Sequence, residues 1–246
     1  MSDEQKTFTE HLSELRKRLI LAMAAIVAAS LGVFGMAGRI AEFVMRPASG
    51  LDFVYLSPPE LFMSYVKLSL IAGTAAASPI VLYQVWAFVK PALSKRERRS
   101  IAASLLFGEL FFAGGGAFAF LVIVPFTIKF FLSYASTSVQ PLFSIKEYFD
   151  FVSSLVLSFG AAFELPMACA ALGALGVLSA KTLAKSRRLA ILGIFIAAAI
   201  LTPPDVVSQI LLALPMLGLY ELSHLILRVI DARRSRRAKV AEAALA

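Results

Sequence analysis

Apolar residues along the chain gather into six runs, at about 19–38, 62–89, 101–124, 151–178, 189–201 and 208–227, parted by segments rich in charge, proline and aromatic residues. A helix rising 1.5 Å per residue needs ~20 residues to cross ~30 Å of hydrocarbon. The first four runs meet that length. The fifth lies between Arg188 and Pro203 and reaches only ~21 Å by the same rise. The sixth has a clean apolar core only over 210–220, and Pro215 interrupts it. The pattern predicts an all-α, six-span membrane protein whose fifth and sixth helices are short, a pair that must thin the bilayer or recruit neighbours.

Ahead of the first run, TFTEHLSELRKRLI carries Phe8, Leu12, Leu15 and Leu19 at helical spacing, and Thr7 with Glu10 makes a capping-box pattern. Residues 1–18 are expected to form an amphipathic surface segment, and 228–246 a basic tail. The loops at 39–60 and 125–150 read as irregular, apart from PFTIKFFLSYAS, where Phe126, Phe130, Phe131 and Tyr134 line one side of a short interfacial helix. No internal repeat is evident, so residues 1–246 read as one domain.

Composition makes the membrane assignment firm. Of the 246 residues 59% are hydrophobic and only 16% charged, with a mean hydropathy of +0.80; a soluble domain carries roughly 25% charged residues. The bilayer is therefore a partner. The net charge of +8 raises the question of nucleic acid, and its distribution answers it. Nineteen of the 24 Lys and Arg residues fall in four segments: Lys6 and Arg16–Lys17–Arg18; Lys90, Lys95, Arg96, Arg98 and Arg99; Lys181, Lys185, Arg187 and Arg188; and Arg228, Arg233, Arg234, Arg236, Arg237 and Lys239. That alternation is a positive-inside pattern rather than a nucleic-acid footprint. It places both termini in the cytoplasm, with the last two runs as a hairpin out and back. GMAGR at 35–39 resembles a signal cleavage site, but four acids precede the run, unlike a short basic leader.

Cys169 is the single cysteine, so no intrachain disulfide or cysteine-rich metal site forms; His11 and His224 are the only histidines. GxxxxGK[ST], HExxH, GxSxG and GxGxxG are all absent. The chain is read as no enzyme, with no catalytic residues, no metal and no cofactor.

The acids are the informative residues. Glu14 lies three and four residues before Lys17 and Arg18, so it is either an ordinary helix salt bridge, worth ~0.2–0.5 kcal/mol, or a binding carboxylate. Glu97 in SKRERR is either neutralised by its neighbours or accepts a partner guanidinium bidentately. Glu109 and Glu164 are the acids deepest in the spans, and an intramembrane acid is a functional hypothesis by default. Pro166 beside Glu164 frees a carbonyl and kinks the helix, so Glu164 lines a polar concavity or bonds a neighbouring helix. In LTPPDVVSQ, Asp205 suits an N-cap, while Ser208 and Gln209, at the start of the span, can bond another helix, which makes this corner with Thr202 a candidate docking surface.

Taken in order, HLSELRKRL (11–19), SPIVLYQVWAFVKPAL (78–93), KRERR (95–99), FGAAFELP (159–166) and LTPPDVVSQILLALPM (201–216) resemble the motifs of TatC, the polytopic core of the twin-arginine protein translocase. The resemblance covers nearly the whole chain. It implies a concave, glove-like bundle in the bacterial inner membrane that binds twin-arginine signal peptides of folded cargo. TatB-like and TatA-like single-span partners, the proton-motive force and further copies of the chain itself belong to the same implication. On matching positions, Glu14 and Glu97 receive the arginine pair, with Arg16, Phe88 and Pro91 shaping the patch. Pro47 is the outer-loop proline, Glu164 faces the hollow, and Thr202, Asp205 and Gln209 sit where partner helices dock. Ser94 departs from the family, which often has an aromatic there. The competing reading is a proton-coupled small-molecule permease using Glu164, although paired, similar halves are not visible. An intramembrane protease lacks a nucleophile or paired aspartates.

Overall fold

The computed structural model describes residues 8–134, 142–201 and 206–243. In chain order the helices are α1 (Phe8–Phe34), α2 (Ala37–Met45), α3 (Pro58–Val89), α4 (Lys95–Phe118), α5 (Val124–Leu132), α6 (Ile145–Phe163), α7 (Leu165–Leu175), α8 (Ala180–Lys185), α9 (Arg187–Leu201) and α10 (Val206–Ala243). Two-residue strands β1 (Phe53–Val54) and β2 (Phe143–Ser144) pair in parallel, Phe53 opposite Phe143.

Among the described residues five stretches are long and apolar enough to cross a membrane: Glu10–Phe34, Pro58–Val89, Glu97–Leu132, Ile145–Leu175 and Gln209–Arg236. The chain is a multi-pass helical membrane protein. The fifth apolar run forms α9, whose 15 residues extend ~22 Å, short as expected.

The sixth helix corrects the sequence reading. It is not short: α10 runs 38 residues straight through Pro215. Proline removes one backbone donor and crowds the preceding turn, yet good helix formers on both sides and a charged, water-compatible extension carry the helix on. The N-terminal stretch is helical from Phe8 and runs on into the first span as part of α1, with no breaker between Leu15 and Ile20. Thr7 lies outside the described residues. Likewise 125–132 is no detached interfacial helix. It continues α4 through a wide π turn at Ala119–Ile123, where the missing donor of Pro125 is absorbed. The merged helix of 36 residues extends ~54 Å and must project beyond the hydrocarbon. The loop at 39–60 is partly helical, as α2 and a 3₁₀ turn, Arg46–Ala48, that holds Pro47.

Two compact units emerge from the packing. The first comprises Met1–Ser94 with Leu142–Ser153. Here α1 and α3 run antiparallel: His11 meets Phe88, Arg18 meets Gln84, Ser30 meets Gly73 and Phe34 meets Phe62. A Cβ on Gly73 would collide with the Ser30 backbone, so only glycine permits this approach, a small-residue contact of the kind that joins helices in lipid. At the other end Glu60, 7% exposed, gathers four donors. Its carboxylate accepts from Leu56 N–H (2.8 Å), Ser57 N–H (3.2 Å), the Ser144 hydroxyl (2.7 Å) and Lys146 N–H (3.4 Å). One side chain thus caps the start of α3 and ties it to the start of α6. Tyr148 donates to the Val44 carbonyl (2.8 Å), fastening α2 to the same knot.

The second unit comprises Lys95–Pro141 with Ser154–Ala246. Gly115 and Gly116 of α4 let Phe159, Phe163 and Val156 of α6 approach closely, in antiparallel order. Phe118 packs on Phe159 and Phe163, centroids 5.7 and 5.9 Å apart. α7 and α10 run parallel, with Gly173 under Leu227 and Gly176 under Arg234. α9 lies antiparallel to α10, pinned by Arg187–Glu221 (2.6 Å) at one end and the Gln209 amide on the Phe195 carbonyl (3.1 Å) at the other.

Candidate functional site

The described acids singled out by sequence fall at three places: Glu14 in the first unit, and Glu97 and the Glu109–Glu164 pair in the second. In the first unit Glu14 is one turn into the polar opening of α1, its side chain 16% exposed. Arg18, one turn on, donates to its Oε1 from Nε (3.0 Å) and from a terminal nitrogen (2.5 Å), and reaches on to the Gln84 amide oxygen of α3 (3.4 Å). The ordinary i,i+4 salt bridge is therefore present. It does not consume the site, because Glu10, Ser13, Glu14, Lys17, Arg18 and Leu21 line an open depression of about 460 Å³. A guanidinium entering it meets a carboxylate already oriented by Arg18, and would share or exchange that bond.

Phe88 of α3 meets His11, one turn before Glu14, and neither is among the residues lining the depression. The two rings stack at 4.4 Å between centroids and 19° between planes. His11 was not singled out from sequence, although HLSEL puts it one turn before Leu15. Arg16 is exposed and leaves α1 about 200° around from Glu14, at 100° per residue. The structure does not bring it to the depression. Pro91 is exposed in the 3₁₀ turn Lys90–Ala92 that ends α3. Glu97 stands half-buried in the first turn of α4, within the second unit.

Glu164 occupies the break between α6 and α7, and Pro166 follows at the second position of α7. The interruption is a single residue: Glu164 keeps helical dihedrals (φ −69°, ψ −22°), and Ile145–Leu175 remains one apolar stretch. The carboxylate lies over Gly108 of α4, whose missing side chain makes the room: a Cβ there would sit 2.7 Å from Oε2. Glu109 is the next residue, and the two carboxylates interact electrostatically. Glu109 and Glu164 thus form one acidic locus, brought together from positions 55 apart. Gln209 is engaged by its own hairpin through the Phe195 carbonyl. Thr202 and Asp205 lie outside the described residues. Pro47 is half-buried beside Arg46, whose guanidinium stands 5.3 Å over the Phe43 ring.

Sequence reading missed Glu60, Lys67 and Asp150. For Glu60 the signal was available: SPPE at 57–60 has the S-x-x-E spacing of a capping box before an apolar run.

Comparison with known proteins settles the family. Residues 10–215 match the family model described as Sec-independent protein translocase protein (TatC). The chain belongs to the TatC family. It is 41% identical over 221 residues to the Sec-independent protein translocase protein TatC of Helicobacter pylori strain J99, covering 90% of this chain and 88% of that one. With the protein of the same name from Desulforapulum autotrophicum it shares 35% over 237 residues, 94% and 88% of the two chains. Two crystal structures of a twin-arginine translocase receptor, TatC, superpose with TM-scores of 0.79 and 0.80 at 36% and 37% identity. They cover 90% and 89% of this chain and 100% and 99% of theirs. The role of this TatC-family chain is accordingly that of a Sec-independent protein translocase subunit, in transport rather than catalysis.

Proposed function

We propose that this chain is the receptor that reads the arginine pair of a signal peptide on the cytoplasmic side of a bacterial inner membrane. One observation carries the reading: Glu14 is a largely buried carboxylate lining an open depression on the polar opening of α1. Glu97 supplies the second carboxylate, Pro91 helps shape the patch, and Arg16 adds to the surrounding charge. With TatB-like and TatA-like single-span partners, and with further copies of itself, the chain exports folded proteins using the proton-motive force. Its six spans act as one membrane domain with both termini cytoplasmic and a concave face carrying Glu164 and Glu109. Thr202, Asp205 and Gln209 form the corner that receives partner helices, and Pro47 shapes the outer loop.

The chemistry behind the reading is short-range. A dicationic peptide approaching a surface with an excess of Lys and Arg gains nothing from the general field, so affinity comes from charge-assisted hydrogen bonds. Guanidinium is a planar fork that engages both carboxylate oxygens, whereas an ammonium is a point charge. Crosslinking of signal peptides to the full chain in membranes, at fixed ionic strength, tests this. Arg-Arg peptides should crosslink distinctly better than Lys-Lys peptides of equal charge, and Glu97→Gln should weaken Arg-Arg binding. Truncating one member of such a pair costs ~2–5 kcal/mol when buried and less at a rim, and the low end is expected here. Equal crosslinking of the two peptides, or no loss in the Glu14→Gln/Glu97→Gln double variant, refutes the reading.

A further inference from the structure

The cytoplasmic end of α10 does more than carry charge. The helix continues to Ala243, far beyond Leu227, which is fully buried, and one face of that extension is held in place. Leu227 packs into the space left by Gly173. Asp231 Oδ2 accepts the Ala180 N–H at 2.8 Å, at the start of α8. The Arg234 guanidinium lies on Gly176, whose φ of 79° forms the left-handed turn ending α7. Leu227, Asp231 and Arg234 follow at intervals of four and three, so they form a single fixed face.

The opposite face is equally regular. Leu222, Leu225, Val229, Arg233 and Arg236 follow at intervals of three, four, four and three and are all exposed. Leu225 and Val229 are 55% and 52% exposed, as a lipid-facing stripe should be in the absence of lipid. On this same line the stripe turns from apolar to cationic. Arg233 and Arg236 lie ~6 and ~10 Å beyond Val229 along the axis, the depth of the headgroup layer that brings a ~30 Å hydrocarbon core to ~40–45 Å overall. Asp231, the acid between Val229 and Arg233 in sequence, is committed to Ala180 on the other face.

We propose that Arg233 and Arg236 form a binding site for the headgroup of an anionic phospholipid whose acyl chains lie along Leu222, Leu225 and Val229. Charge complementarity selects the anion. The continuous apolar stripe beneath selects a lipid over an acidic soluble protein, which would leave those three side chains unexplained. The clamped face fixes the helix that presents both arginines on one line. This inference does not depend on signal-peptide recognition.

The test uses the purified full-length chain in detergent with equal amounts of phosphatidylglycerol and phosphatidylethanolamine, and native mass spectrometry to count retained lipids. The wild-type chain should prefer phosphatidylglycerol. Arg233→Gln/Arg236→Gln should lower that preference at least fivefold, since each arginine near an anionic surface is worth roughly a fivefold factor. Arg233→Lys/Arg236→Lys should retain most of it. Lys181→Gln/Lys185→Gln, which removes two exposed charges of α8, should leave it within about twofold, because α8 offers no matching stripe. An unchanged preference in the Arg→Gln double variant, or an equal loss in the α8 control, overturns the proposal. So does an unchanged lipid preference accompanied by loss of a co-purifying acidic protein. If the double variant fails to fold, the two single Gln variants carry the test, and no loss in either overturns it.

Discussion

The ammonium of Lys67 lies 2.5 Å from Oδ1 of Asp150, joining α3 to α6 by an ion pair between residues 83 apart. Lys146, one turn earlier on α6, holds Oδ2 at 3.3 Å. Lys67 lies ~14 Å along α3 from Pro58, well inside an apolar helix, where an unpaired ammonium is costly. The pair therefore fixes how deep the two helices sit against each other. Removing either partner alone should lower thermal stability in detergent, and Lys67→Met/Asp150→Asn should cost less than the two single losses added together. The Lys67 side chain is 47% exposed, so the coupling should be modest, about 1 kcal/mol. Strict additivity would show that the contact holds nothing.

Glu60 is the stronger fastening, because its four donors come from both α3 and the β2–α6 junction. Glu60→Gln offers one acceptor oxygen and turns an N–H₂ toward groups that themselves donate. Its expected signature is local. Amide hydrogen exchange should accelerate at 53–57 and 143–146 together, with a lower melting temperature. Acceleration at only one of the two segments would refute the bridging role.

The close approach of α1 and α3 makes opposite predictions for its two sides. The Ser30 hydroxyl is buried without a hydrogen-bond partner among the described residues, so Ser30→Ala removes an unsatisfied polar group and should be neutral or stabilising by up to ~1 kcal/mol. Gly73→Ala drives a methyl into the Ser30 backbone and should destabilise by ~1–3 kcal/mol through overpacking. Thermal melts of both variants decide this. A tolerated Gly73→Ala would mean that the helices are not in contact there.

Glu164 can be probed from both sides of its contact. Glu164→Gln keeps a polar head of the same shape over Gly108 and should retain most export activity, while Glu164→Leu puts an apolar side chain beside Glu109 and should lose it. Gly108→Val fills the space that the carboxylate occupies and should reproduce the Leu phenotype without touching the acid. Equal export in all three variants would make the residue unimportant. Complete loss in Glu164→Gln would instead indicate an obligatory proton carrier.

The sequence by itself determined whatever depends on neighbours a few residues away. Apolar run length placed the spans, the basic clusters set the expected orientation, and Glu14–Arg18 was readable as an i,i+4 pair because helix geometry brings such residues together regardless of context. Signals of this local kind also misled. Pro125 and Pro215 read as interruptions, yet a π turn at Ala119–Ile123 absorbs the first and α10 runs through the second. Local propensity cannot register what packing tolerates. The tertiary structure alone decided the contacts across long separations: His11 on Phe88, Glu60 on Ser144, Lys67 on Asp150, Glu164 over Gly108. Each depends on which helix faces which, and at what height. In this chain that is set by where glycines such as Gly73, Gly108 and Gly115 let backbones close together, a property of pairs of helices that neither sequence pattern carries alone.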